Sequence, residues 1–176
     1  MQAKFNIDEI LEMAEQIERN GATFYQRASE IVPADSTSRR LLLILAEMEI
    51  NHEAIFASMR KDILKHEKID SIVDPEFDPD GLAAMYLRSI ANSQVFDLNK
   101  PDLSGNESPE TILKMALERE KDAIVFYLGL KEAVAENLGR NDVDLIIKEE
   151  MSHITYISEE LAKLPKLKEQ FLYDQS

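Results

Sequence analysis

Apolar residues recur at three- and four-residue spacing along four long stretches of the chain, the period of amphipathic helices. The spacing predicts helices over about 7–32, 36–66, 108–137 and 142–164. The first carries an inward line of Ile10, Ala14, Ile17/Glu18, Gly21, Phe24/Tyr25, Ala28 and Ile31. Along the second the line is Leu42, Leu45, Glu49, His52, Phe56, Met59 and Ile63. The third opens on Ser108-Pro109-Glu110, a Ser cap followed by Pro at the first helical position. It continues through Leu113, Leu117, Glu120, Ile124, Tyr127 and Val134, and the fourth runs through Ile146, Glu150, His153, Ile157 and Leu161. Short loops join the first helix to the second and the third to the fourth, so each pair reads as an antiparallel hairpin. Between the hairpins lies a segment of roughly forty residues, 69–107, with turn residues at its ends and room for one shorter helix over Leu82–Val95. No β alternation is visible. The expected architecture is all-α and single-domain: hairpin 7–66, crossover 69–107, hairpin 108–164 and a short tail 165–176, forming a four-helix bundle with one long crossover.

The two hairpins repeat one another. Residues 13–32, MAEQIERNGATFYQRASEIV, align with 115–134, MALEREKDAIVFYLGLKEAV, at an offset of 102. Glu49-Ile50-Asn51-His52 aligns with Glu150-Met151-Ser152-His153 at an offset of 101. Each copy places the same polar residues on its apolar stripe, one Glu from its first helix and a Glu-x-x-His from its second. Residues at i and i+3 share a helix face, so Glu and His project together. Buried without compensation, four carboxylates would repel one another and each would cost several kcal/mol. Two divalent metals are the natural compensation, and a carboxylate and imidazole donor set suits iron or manganese. The candidate ligands are Glu18, Glu49, His52, Glu120, Glu150 and His153.

Composition narrows the partners. The chain has 20 Lys plus Arg against 34 Asp plus Glu, a net charge of −14, and no basic run. Nucleic acid and anionic membrane surfaces are therefore unsuited partners. The absence of cysteine removes disulfides, thiolate zinc sites, iron–sulfur clusters and rubredoxin-type iron. The longest apolar run, Leu41 to Ala46, is six residues, against the ~20 needed to span a bilayer. The N-terminus carries no signal-peptide pattern, so a cytoplasmic protein is expected.

On these residues the chain resembles the ferritin-like di-iron proteins, specifically rubrerythrin-like and bacterioferritin-like domains. The resemblance covers all four main helices, and IERNGATFYQRA is similar to the first helix of rubrerythrin-type domains. It implies that Glu18 and Glu120 are terminal carboxylates, Glu49 and Glu150 bridges, and His52 and His153 terminal nitrogens of a site for two Fe ions, with Mn or Zn as possible substitutes. Two departures stand out. Rubrerythrins carry a further carboxylate one turn after the third-helix ligand, where this chain has Ala123. Bacterioferritins place a haem-ligating Met after the second-helix Glu, where Ile50 stands, so no haem is expected. The ligand set is thus the symmetric one of bacterioferritin in a chain otherwise similar to rubrerythrin.

Tyr25 and Tyr127 each follow an inward Glu by seven residues, two turns along the same face. There they can orient a bridging carboxylate or supply an electron, or simply fill the core with a satisfied hydroxyl. Glu118 is expected on the polar face with Lys114 and Lys121. Glu53 and Glu149 lie off the stripe, within reach of a supporting role, and His66 reads as a solvated helix-end histidine. The seven methionines read as core filling. The resemblance implies a redox enzyme that reduces hydrogen peroxide or O2 using an external electron donor. Ferroxidase activity with iron storage is the alternative, and a metal that only stabilises the bundle is a third reading. A homo-oligomer, at least a dimer, is expected.

Overall fold

In the computed structural model, residues 7–65, 82, 85–87, 89, 103–134, 136 and 139–164 are described. Four long helices dominate: α1 (Ile7–Ile31), α2 (Thr37–Lys65), α3 (Pro109–Ala133) and α4 (Arg140–Lys163). No strand occurs among the described residues. His66, most of the crossover and the tail 165–176 lie outside them, although Leu82, Met85–Leu87 and Ser89 are helical, within the short helix expected there.

Local chemistry fixes the helix ends. Ser36 caps α2 by accepting a hydrogen bond from the Arg39 amide at 3.1 Å. Ser108 does the same for α3, accepting from Thr111 N with Pro109 behind it. α3 ends at Ala133, about four residues earlier than the spacing predicts, because Val134 turns to extended backbone. Arg140 then donates Nε to the carbonyls of Lys131 and Val134, giving orphan acceptors of the α3 terminus a partner. Gly139, at φ 106°, makes the left-handed turn into α4, which starts two residues earlier than expected.

Cross-links give the helix directions. Arg60 pairs with Asp8 and Arg19 with Glu53, so α1 and α2 are antiparallel. Lys131 with Asp144 orients α3 against α4, and Ser38 with Glu160 orients α2 against α4. Tyr25 with Glu120 and Glu18 with Tyr127 set α1 antiparallel to α3. α2 and α3 therefore run the same way, and the chain between them must return along the bundle. Part of that return packs on the core: Leu87 is buried in it, and Tyr86 lies over Gly129, where a β-carbon would collide with the ring.

Two apolar layers fill the interior. One contains Ile10, Phe56, Phe126, Leu130 and Ile146. The other holds Phe24, Leu42, Leu45, Leu113 and Ile157. The polar residues of the stripe lie buried with them. The methionines depart from expectation: Met59 is in the core, but Met85 and Met151 are more than half exposed. Met151 faces outward because it directly follows the inward Glu150, a step of about 100° round the helix.

Candidate metal centre

All six residues expected as ligands are buried and converge between the four helices. α1 supplies Glu18, α2 supplies Glu49 and His52, α3 supplies Glu120, and α4 supplies Glu150 and His153. Their ligand atoms form two groups, each within 4.8 Å: Glu18, Glu49, His52 and Glu150; and Glu49, Glu120, Glu150 and His153. Glu49 and Glu150 belong to both. The imidazole rings stack at 5.7 Å between centroids and 16° between planes. Both aim Nδ1 at the carboxylates: His52 lies 3.0 Å from Glu150 Oε1 and 3.5 Å from Glu18 Oε2. His153 lies 2.9 Å from Glu150 Oε2 and 3.4 Å from Glu49 Oε1.

Such a cluster is electrostatically costly by itself. Burial, followed by repulsion from Glu18 and Glu150, pushes Glu49 well above the ordinary carboxylate range. Burial and contact with Glu150 push Glu120 up to about 8. Burial opposes charge on the imidazoles too, but the surrounding carboxylates outweigh it, raising His52 to about 10 and His153 to about 12. Glu150 goes the other way: burial is outweighed by the approach of Glu120, His153 and His52, which hold it below the usual carboxylate range. Without a cation the site gathers protons.

The residues fit a pair of metal ions. Glu18 Oε2, Glu49 Oε1, both oxygens of Glu150 and Nδ1 of His52 are buried with no hydrogen-bond partner, an exceptional concentration of unsatisfied polar atoms. A cation satisfies them together. The shared Glu49 and Glu150 make the two groups neighbours, as bridging carboxylates require.

The tyrosines act crosswise. Tyr25 donates to Glu120 and Tyr127 donates to Glu18, both buried. They therefore hold the unshared carboxylates of the opposite hairpin, whereas the sequence pointed to the bridging ones. The reason is helical rise: seven residues separate each Tyr from its own Glu by about 10 Å. The antiparallel approach of α1 and α3 brings Tyr25 level with Glu120.

Residues placed off the stripe divide. Glu118 pairs with Lys121 on the surface, and Glu53 with Arg19. Glu149 reaches the centre, with Oε2 2.7 Å from His52 Nε2. Gly21, on the apolar line of α1, cradles the Glu49 side chain. The sequence signal for it was the pair of small residues, Gly21 and Ala123, in register at three residues after the inward Glu.

Comparisons with known proteins agree with this architecture. No protein-family model and no curated protein matches the chain. Among solved structures, the chain is similar to a Thermotoga maritima protein described as a ferritin-like diiron-carboxylate protein. The TM-score is 0.63 at 22% identity, covering 93% of this chain and 99% of that one. The fold is ferritin-like. No described helix is long and apolar enough to cross a membrane.

Proposed function

We propose that the protein is a non-haem di-iron oxidoreductase that reduces hydrogen peroxide or O2, drawing electrons from an external donor. The observation that carries this reading is the membership of Glu49 and Glu150 in both ligand groups, which supports a bridged pair of ions rather than one. Two ferrous ions, if held there, would supply two electrons to one oxidant.

The chain's own residues set the conditions for that chemistry. Glu49 and Glu150 would hold the ions together, with Glu18 and His52 on one side and Glu120 and His153 on the other. Tyr25 and Tyr127 fix the orientation of the two unshared carboxylates. Burial, and then the nearby glutamates, raise both phenols well above their ordinary range, so they stay protonated donors at neutral pH. The apolar layers on either side exclude water, which strengthens every electrostatic contact inside. With no cysteine in the sequence, no thiolate-bound iron is at hand to relay electrons, hence the external donor. Exposed Leu43, Ile44 and Ile50 on α2, with Leu145, Met151 and Tyr156 on α4, support self-association into at least a dimer. A reducing, cytoplasmic setting suits ferrous iron.

Anaerobic loading with Fe(II), followed by peroxide, tests the reading. Oxidation of two ferrous ions per peroxide, with repeated turnover when reductant is supplied, is the expected result. Ferric iron accumulating far beyond two ions per chain would favour ferroxidase and storage, and bound metal inert to both oxidants would leave it a structural role.

A further inference from the structure

The six inner residues obey an approximate two-fold relation, but the next layer out does not. Nε2 of His52 meets Glu149 Oε2 at 2.7 Å. Nε2 of His153, also buried, has no hydrogen-bond partner. The repeat differs at the matching position: the offset that pairs Glu150 with Glu49 pairs Glu149 with Met48, a thioether in place of a carboxylate. A thioether is a weak acceptor.

The difference bears on metal binding because each imidazole directs Nδ1 inward. A neutral imidazole that binds a cation through Nδ1 carries its proton on Nε2, and a carboxylate accepting that proton fixes the tautomer and the ring and raises the ligand's basicity. For His52 that acceptor is present. For His153 the Nε2–H would stay buried and unpaired, which penalises that tautomer. A plain surface ion pair does not describe the contact, because Glu149 is 52% exposed while His52 is 1% exposed. The pair links solvent to one half of the centre.

The geometry points to Glu149 as a positioning residue for His52, making the Glu18/His52 half of the centre the tighter metal site and the first to fill. The inference rests on the two-ion reading above.

Titration of the full-length, metal-free protein with Co(II), followed by calorimetry and ligand-field absorption, tests it. Two steps are expected in the wild type. Glu149→Gln should weaken the tighter step by about 10–100-fold and leave the weaker one in place. Met48→Glu should tighten the weaker step. Glu18→Ala should lose the tight step and Glu120→Ala should keep it, which identifies the half concerned. Two ions entering with equal affinity, or a titration unchanged by Glu149→Gln, would overturn this inference and leave the two-ion reading standing. A wild-type protein that takes up no pair would overturn both.

Discussion

Gly21 of α1 lies so close beneath Glu49 of α2 that a β-carbon there would come within 2.8 Å of Oε2. The glycine is part of how a carboxylate from another helix enters the centre. Gly21→Ala should leave the metal-free fold as stable or up to about 1 kcal/mol more so, since Ala favours a helix over Gly. It should also weaken uptake of the metal pair, because Glu49 must move. Thermal melts with and without Mn(II) check both halves; a variant that binds metal like the wild type would show that Glu49 has room to spare.

Tyr25→Phe and Tyr127→Phe each remove a buried donor from an unshared carboxylate. A hydrogen bond to a charged group contributes about 1.5–3 kcal/mol, and loss of such an outer contact costs about 10–100-fold in metal affinity. Tyr127→Phe should act on the Glu18 half and Tyr25→Phe on the Glu120 half. Equilibrium dialysis against Mn(II) reads the loss, and an effect on the carboxylate of the tyrosine's own helix would contradict the crosswise arrangement.

Ligand removal should follow the sharing. Glu150→Ala takes an oxygen donor from both groups, so it should abolish the pair. Glu18→Ala touches one group only and should leave one ion per chain. Metal analysis after reconstitution separates the cases, and equal losses would mean that Glu150 does not bridge.

The metal-free protein should lose stability as pH rises. A group whose folded pKa is raised stabilises the fold below its ordinary pKa, and this is lost through the folded value. Glu120 loses it between its ordinary 4.5 and about 8, and His52 between 6.5 and about 10. Glu150, shifted down, has its contribution in full throughout that window. Between pH 5 and 9 the melting temperature of the metal-free protein should therefore fall, by roughly 5–10 °C for about 2–3 kcal/mol. Metal replaces those protons, so the gap between loaded and empty protein should widen over the same range. A gap that narrows with pH would show that the carboxylates do not face one another.

The helices and the six inner residues were legible in the sequence because both rest on period. Apolar spacing sets which face is buried, and Glu18, Glu49, His52, Glu120, Glu150 and His153 are polar exactly where that face demands otherwise. What period cannot supply is the level at which two helices meet. Tyr25 reads as a neighbour of Glu18 along α1, yet its partner is Glu120, fixed by how α1 passes α3. Glu149 reads as a surface residue by its position on α4, and only the approach of α2 brings His52 within its reach. The third helix overran in the sequence reading because nothing apolar marks its end. The capping side chain, Arg140, lies in the next helix.

The crosswise tyrosines have a consequence for the origin of the centre. Each hairpin brings one tyrosine, one unshared carboxylate and one Glu-x-x-His, and its tyrosine serves the carboxylate of the other. Two identical hairpins meeting about an axis would generate this same set, three ligands becoming six. The centre therefore has the geometry of an interface between equal partners that a crossover has tied into one chain. Equal partners are bound to change together, whereas two halves of one chain can diverge, and Met48 against Glu149 is a divergence that only the joined form can hold.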